Sequence, residues 1–174
     1  LNVTPIQNMW EQLHLAYVNG IGRMWILNVG DLKPMEYPIT FFMDMAWNPQ
    51  MCDAGTITRH TQDFCRQQFG ETQAVEAARL LNLCCKMNGR VTAEMLDART
   101  YNIFSGEWRQ VADDYMRLEA EALPKYLTID ERYRDTYQQI ILFPIQAMSN
   151  IYQMYYAQAM NQKLFSEGNP DCNL

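Results

Sequence analysis

Four polar side chains of different chemistry lie close together near the start of the chain. They supply an amide, two carboxylates and an ammonium group within nine residues: Asn28, Asp31, Glu36 and Lys33. They follow the apolar run Trp25–Leu27, which has the length and the aromatic and β-branched character of a buried strand. Gly30, Pro34 and Pro38 are residues that fix turns in this stretch. Mixed charge at this density, directly after a buried strand, predicts a binding or catalytic site.

A purely structural interpretation of the same four residues is also open. Asp31 and Lys33 would then pair across a turn, Asn28 would close the end of the strand, and Glu36 would cap the following helix. The functional interpretation gains from position in the chain. In barrels of alternating strands and helices, residues just past the C-terminal end of a strand face the active site.

The histidines and cysteines predict neither a metal site nor thiol catalysis. The chain has two histidines and five irregularly spaced cysteines, with no CxxC pair. His60 and Cys65 are five positions apart, so on one helix they point in different directions and predict no catalytic pair. Cys65, Cys84 and Cys85 fall in helical patterns and are predicted to be buried thiols. His14 is predicted to be a half-buried helix residue.

Charge and hydropathy exclude two classes of partner. The net charge is −6, and acidic and basic residues are mixed along the chain, so no basic stripe is available to neutralise nucleic-acid phosphates. No apolar run approaches the roughly 18 residues that a membrane span requires. The sequence therefore predicts a soluble protein that binds neither nucleic acid nor membrane.

The first 49 residues alternate between helical and strand patterns. A helix is predicted from Thr4 as N-cap, with Pro5 in the first turn and Gln7 closing a capping box. A strand follows at about residues 23–28, and Pro38 then opens a helix that runs to about Trp47. One strand is not a sheet, so its partners are expected outside this chain, and Leu1 is not expected to be a natural terminus.

From about residue 50 onward the pattern is helical. Helices are predicted from Thr56 or Thr58 to Gly70, from Thr72 to Asn88–Gly89, briefly after Thr92, from Ser105 to a bend or end at Pro124, and from about Asp130 onward. Pro144 is predicted to kink or cleanly break the last of these near Leu142. The change of pattern places a domain boundary near residues 48–55, which separates residues 1–49 from residues 50–174.

Two longer motifs carry a resemblance to a known family. Residues 25–49, WILNVGDLKPMEYPITFFMDMAWNP, together with the preceding IQNMWEQLHLAYVNGIGRMW, resemble glycoside hydrolase family 115, the xylan α-1,2-glucuronidases. The combination of NVGDLKPME, PITFF and WNP is specific. The later stretch ILFPIQAMSNIYQMYYAQAMNQKLF, residues 141–165, resembles the end of that family's helical domain.

The resemblance implies a fold and an activity. Residues 1–49 would be the closing part of a (β/α)-barrel catalytic domain, and residues 50–174 a helical bundle. The family removes glucuronic acid or 4-O-methylglucuronic acid from xylan with inversion, without a cofactor. The catalytic acid and base are expected upstream of this chain. The resemblance implies a substrate-contacting asparagine at Asn28. The chemistry of Asp31, Lys33 and Glu36 predicts substrate-binding roles beside it, with a catalytic carboxylate at Asp31 or Glu36 as the alternative.

The expected partners follow from the same resemblance. They are glucuronoxylan or aldouronic acids, the rest of the barrel, and, as one option, a second copy in a homodimer. The location would be periplasmic or secreted.

The predicted fold class is mainly α: a helix–strand–helix remnant of a barrel, followed by a bundle of about five helices. An alternative function is a non-enzymatic helical interaction module, whose polar loop only caps its elements. A barrel fragment would leave the apolar faces of Trp25–Leu27 and Phe41–Phe42 uncovered, whereas a module would not.

Overall fold

The computed structural model describes residues 4–173, and most of them are helical. The seven α-helices of this part are α1 (Ile6–Val18), α2 (Glu36–Trp47), α3 (Ile57–Phe69), α4 (Glu71–Asn88), α5 (Glu107–Thr128), α6 (Glu131–Tyr137) and α7 (Phe143–Ser166). Short 3₁₀ turns lie at Ala93–Met95 and Pro170–Asn173. The mainly helical fold class is confirmed, and α3 to α7 match the predicted number of about five bundle helices. The short helix predicted after Thr92 is a 3₁₀ turn, and the last predicted helix is divided into α6 and α7.

Helix α1 begins one residue later than the capping pattern predicts. Pro5 occupies the N-cap position, and no side chain caps the helix, so the predicted Thr4–Gln7 capping box is wrong. A proline at the N-cap leaves Thr4 outside the position from which its hydroxyl would reach the first turn. The helix is held instead by its apolar side: Ile6 is buried, and the indole Nε1 of Trp10 donates to the carbonyl of Cys52 at 3.2 Å.

The strand predicted at residues 23–28 is not formed. Residues 19–35 connect α1 to α2 without helix or strand, and no strand occurs anywhere in residues 4–173. A strand needs a neighbour to receive its backbone hydrogen bonds, and the described residues offer none beside this segment. The indole of Trp25 donates to the carbonyl of Ile21 at 2.6 Å, and its ring lies 6.2 Å from that of Phe42. The barrel remnant is therefore not confirmed.

Helix α2 joins the core of the helices that follow it. Tyr37, Phe41 and Met45 are at most 2% exposed, and Phe42 is 8% exposed. The ring of Phe41 packs edge-on against His60 of α3 at 5.0 Å. A barrel fragment would expose the apolar faces of Phe41–Phe42 and of Trp25–Leu27. The first is covered in this structure, whereas in the second Ile26 is 86% exposed.

Helices α3 and α4 form an antiparallel pair that turns at Gly70. This glycine has a φ of +80°, which other residues rarely adopt, and a Cβ here would lie 3.2 Å from the hydroxyl oxygen of Tyr133. The predicted ends of both helices at Gly70 and at Asn88–Gly89 are confirmed.

Helices α5 and α7 pack through large aromatic side chains. The rings of Tyr115 and Tyr152 stack at 4.2 Å, and the indole of Trp108 donates to the carbonyl of Ala98 at 3.0 Å. Helix α5 continues through Pro124 to Thr128, so Pro124 does not end it, and the alternative of a bend at this proline stays a prediction. Ala120 and Pro124 are both exposed, so water can reach the carbonyl that loses its helical donor.

Pro144 interrupts the last long helix near Leu142, as predicted, but by a π-helical turn and not by a clean break. A π-helical turn at Gln138–Leu142 separates α6 from α7, and Pro144 lies in the first turn of α7, where its missing N–H costs little. One core then runs from Ile6 in α1 to Ala159 in α7. This core contains side chains from both sides of residues 48–55. The division into residues 1–49 and 50–174 remains a prediction.

Candidate functional site

The structure pairs Lys33 with Glu36 at the end of the connecting loop. The ammonium nitrogen of Lys33 lies 3.1 Å from Oε1 of Glu36, with 70% of the lysine side chain and 25% of the glutamate side chain exposed. The same Oε1 accepts a hydrogen bond from the side-chain amide of Gln139, in the π-helical turn. The other oxygen, Oε2, is buried and has no hydrogen-bond partner within the described part of the chain. Glu36 therefore ties the polar loop to the far end of the chain.

Asn28 and Asp31 lie on the exposed side of the same loop. The Oδ1 atom of Asn28 accepts the N–H of Gly30 at 3.1 Å, and Gly30 has a φ of +61° that suits glycine. Within residues 4–173 the carboxylate of Asp31 has no hydrogen-bond or ion-pair partner. The expected Asp31–Lys33 pair is thus not formed, because Lys33 turns to Glu36 instead. Asn28 and Asp31 present polar groups to whatever approaches the loop.

Glu36 is the first residue of α2 and not its cap. Met35 holds the N-cap position, and no side chain caps this helix. A carboxylate in the first turn is still favourable, since it faces the positive end of the helix dipole. The structural interpretation is therefore satisfied in part, by Glu36 and Asn28, and the four residues retain groups with which to bind a ligand.

A second polar cluster joins α2 to α3 and was not predicted from the sequence. The Nε2 atom of His60 lies 2.9 Å from Oδ2 of Asp44, and its Nδ1 lies 3.4 Å from the hydroxyl oxygen of Tyr37. That hydroxyl lies 2.8 Å from Oγ1 of Thr61, which also accepts from the amide of Asn82 at 3.4 Å. The contacting pairs are 16 to 24 positions apart and join α2, α3 and α4, so no local spacing in the sequence reveals them.

Burial determines the chemistry available to this cluster. Burial raises the pKa of Tyr37, and the hydrogen bond from Thr61 only partly offsets it, so the phenol stays neutral at physiological pH. Burial also raises the pKa of Cys65 to about 12, so its thiol is not a nucleophile. His60 is engaged with Asp44 and Tyr37, and Cys65 is buried, so the structure shows no catalytic His60–Cys65 pair.

Residues 4–173 offer neither a cluster of metal ligands nor a helix that could span a membrane. Within residues 4–173, no group of three or more histidine, cysteine, aspartate or glutamate side chains is placed to hold a metal ion. Nor does any helix of that part combine the length and the apolarity that crossing a bilayer requires. The polar loop at residues 28–36 remains the candidate site.

The fold and the candidate site together define a mainly helical protein that carries a polar loop before its helical bundle. Comparison with known protein families matches residues 1–95 to the family described as Glycosyl hydrolase family 115. The match covers the whole loop and helices α1 to α4. The chain belongs to glycosyl hydrolase family 115, which confirms the resemblance noted for residues 6–49. No curated protein matches the chain. The resemblance of residues 141–165 lies outside the matched range and remains a prediction.

Proposed function

We propose that this chain is a segment of an inverting xylan α-1,2-glucuronidase. It contributes one active-site loop and a supporting helical domain. The observation that carries the proposal is the family match over residues 1–95, since the matched range includes every residue of the polar loop. The catalytic acid and base belong to another part of the enzyme, and the segment alone is inactive.

The loop geometry supports a division of roles among the four residues. Lys33 is the cation for the carboxylate of the uronic acid, and Glu36 holds its ammonium group at 3.1 Å. Asn28 and Asp31 are exposed and bind sugar hydroxyls. Because Glu36 is fixed by Gln139 of the bundle, the helical domain positions Lys33.

The exposed apolar side chains favour the proposal that the rest of the barrel covers this surface. Within the described residues, eight large apolar side chains between positions 15 and 47 are exposed, with Trp47 at 92% and Ile26 at 86%. The others are Leu15, Val18, Ile21, Met24, Leu32 and Met43. So many exposed apolar side chains favour a covered surface over the surface of an independent module. Residues 23–28 would then gain the strand partners that they lack here.

The proposal is tested first by the activity of the full-length protein that contains this chain. We expect it to release glucuronic or 4-O-methylglucuronic acid from glucuronoxylan, and residues 1–174 alone to release none. Asn28→Ala should lower kcat/KM on aldouronic acids by a factor of tens, or about 2 kcal/mol and above. The control is Asn150→Ala, since Asn150 is exposed on α7 and lies outside the polar loop at residues 28–36. An unchanged kcat/KM in Asn28→Ala would refute the site assignment.

The stereochemistry of the released sugar tests the proposed mechanism separately. An inverting enzyme uses one carboxylic acid to protonate the leaving oxygen and one carboxylate to activate water, about 6.5–9.5 Å apart. Cleavage of an α-linkage with inversion releases the β-anomer first. Proton NMR of the first turnovers should therefore show β-glucuronic acid before mutarotation. Initial release of the α-anomer would contradict inversion while leaving the substrate class intact.

The association state separates the enzyme segment from an interaction module. If the barrel covers the exposed apolar side chains, residues 1–174 alone should associate as protein concentration rises in analytical ultracentrifugation. Replacing Ile26 and Trp47 together by asparagine and glutamine should reduce this association. A chain that stays monomeric at all concentrations would instead favour the module. We further propose that the full-length enzyme is periplasmic or secreted, and that a homodimer would use the bundle surface.

A further inference from the structure

The side chain of Phe104 is exposed to solvent on a turn whose backbone is held by several hydrogen bonds. It lies before α5 and is 72% exposed. The Oδ1 atom of Asn102 accepts the N–H groups of Phe104 and Ser105 at 2.8 and 3.0 Å. The N–H of Asn102 in turn donates to Oε2 of Glu107 at 3.0 Å. These hydrogen bonds hold the backbone that carries Phe104, so the exposure of its ring is not a consequence of a loose loop.

Two hollows flank this ring. One, of about 470 Å³, lies between residues 98–104 and the last turns of α7, and the other, of about 330 Å³, lies toward Tyr156. Phe104, Ile103 and Lys163 line both. Together they form what we call the Phe104 groove. Each hollow falls in the range of about 300–1,000 Å³ that is typical of sites for small molecules.

The charges of the Phe104 groove have one sign. The ionised side chains that line it are Arg99, Arg109 and Lys163, and none of its lining residues is an aspartate or glutamate. This occurs in a chain whose net charge is −6. Each of the three cations has one carboxylate from outside the lining within 4.0 Å: Arg99 Nη2 lies 3.6 Å from Asp97, Arg109 Nε 3.7 Å from Asp113, and Lys163 Nζ 4.0 Å from Glu167. Exposed ion pairs of this kind are weak, so these cations can turn to a bound anion. The groove is therefore complementary to an anion.

The remaining lining favours a sugar as the carrier of that anion. Lys163 lies 5.6 Å from the centre of the Phe104 ring, so aromatic face and cation are adjacent. The face of a pyranose ring that bears axial C–H bonds packs on an electron-rich aromatic face. Thr100, Gln162 and Ser166 supply hydroxyl and amide groups around it. An exposed ring beside cations and neutral hydrogen-bonding groups matches a sugar that bears a carboxylate.

We propose that the Phe104 groove is a second carbohydrate-binding site that holds a uronate-bearing oligosaccharide, distinct from the loop at residues 28–36. Phe104 stacks on a sugar ring, while Lys163 and Arg109 meet the carboxylate. The choice of glucuronoxylan as the polymer rests on the proposed function. The site lies beyond residue 95, outside the family match. It would keep the enzyme on the polysaccharide between cleavage events.

The test is the retardation of the full-length protein in native gels that contain glucuronoxylan. Phe104→Ala and Lys163→Gln should each weaken the apparent affinity at least fivefold, and Phe104→Trp should retain it. Phe165→Ala is the matched control, since Phe165 is 74% exposed and lies outside the groove. Xylan whose uronate carboxyls have been reduced to alcohols should retard the wild type and Lys163→Gln equally.

Hydrolysis assays separate this site from the active site. Phe104→Ala should raise KM on polymeric glucuronoxylan and leave kcat/KM on short aldouronic acids unchanged. Equal retardation of wild type and Phe104→Ala would overturn the proposal, even if the enzyme is active. A loss of retardation in Phe104→Ala in a protein that releases no uronic acid would uphold the groove and overturn the proposed function. If Phe104→Ala lowers the melting temperature more than Phe165→Ala and leaves retardation unchanged, the groove is instead covered by another part of the protein.

Discussion

The side-chain amide of Gln139 donates to the carboxylate of Glu36 across 103 positions of sequence. Glu36 begins α2, directly after the polar loop, and Gln139 lies in the π-helical turn that Pro144 imposes before α7. The other carboxylate oxygen of Glu36 is buried without a partner among the described residues. The break in the last helix thus provides the donor that holds the loop's glutamate, and through it Lys33.

Removal of that donor should destabilise the fold. Gln139→Ala leaves a partly buried carboxylate with one bond fewer, and the expected loss is about 1–2 kcal/mol in the free energy of unfolding. Urea denaturation at low protein concentration measures it. Gln67→Ala is the control, because Gln67 is exposed on α3 and should change stability by less than about 0.5 kcal/mol. Equal stability of both variants would mean that water replaces Gln139 at Glu36.

The contact between Tyr37 and Thr61 predicts a second, larger effect in the core. Thr61 is fully buried, and its hydroxyl lies 2.8 Å from that of Tyr37, which is 2% exposed. Thr61→Val keeps the shape of the side chain but removes the nearer of the two hydrogen-bond partners of a buried phenol, so the free energy of unfolding should fall by about 1–3 kcal/mol.

The same helix offers the control for this change. Thr58 is exposed one turn earlier on α3, so Thr58→Val should be close to neutral. In the double variant Tyr37→Phe with Thr61→Val, the cost should be smaller than the sum of the two single costs, since both partners are gone. Additive costs would show that the two hydroxyls are not coupled.

Local signals predict the helices well, and tertiary contacts decide what local signals miss. The helix ends predicted at Gly70 and at Asn88–Gly89 are confirmed, and the interruption predicted from Pro144 takes the form of a π-helical turn at Gln138–Leu142. The strand at residues 23–28 was predicted from side chains alone, but a strand also needs a partner that these residues do not have here. Pro124 was expected to bend or end α5, yet the helix does not end there, because its exposed position lets water replace the lost hydrogen bond.

Local sequence signals likewise reveal only one part of the candidate site. The types and spacing of Asn28, Asp31, Lys33 and Glu36 are visible in the sequence, and the Lys33–Glu36 pair lies within one turn of chain. The partners that hold Glu36 and His60 come from distant segments, Gln139 in one case and Asp44 in the other. Hydrophobic periodicity indicates which face of a helix is buried but not which polar groups meet there.

Thiol reactivity should follow burial. Cys65 is completely buried and Cys84 is 4% exposed, and burial raises the pKa of each to about 12. At pH 8 only a very small fraction of either thiol is ionised, so neither should react with an aromatic disulfide reagent until the protein unfolds. Cys172 is half-buried near the end of the described chain and should react first.

The assignment of the fast thiol is checked by substitution. Cys172→Ser should remove one equivalent from the fast phase of labelling, whereas Cys65→Ser should leave that phase unchanged and remove one equivalent only in denaturant. Fast labelling of Cys65 in the folded protein would contradict its burial.

Alkaline pH should unfold the protein through its buried tyrosines. Burial raises the pKa of Tyr37, Tyr115 and Tyr137 well above the ordinary value, so all three stay protonated in the native state. In the unfolded chain they ionise near pH 10, so above that pH the unfolded state binds fewer protons than the native state. The free energy of unfolding then falls by about 1.4 kcal/mol per pH unit for each tyrosine, whereas these groups contribute no slope below about pH 9. Urea midpoints between pH 8 and pH 11.5, followed with tyrosinate absorbance, should show this break, and Tyr37→Phe should make the alkaline slope shallower by one tyrosine. A constant midpoint through pH 11 would mean that these phenols ionise as readily in the folded protein as in the unfolded chain.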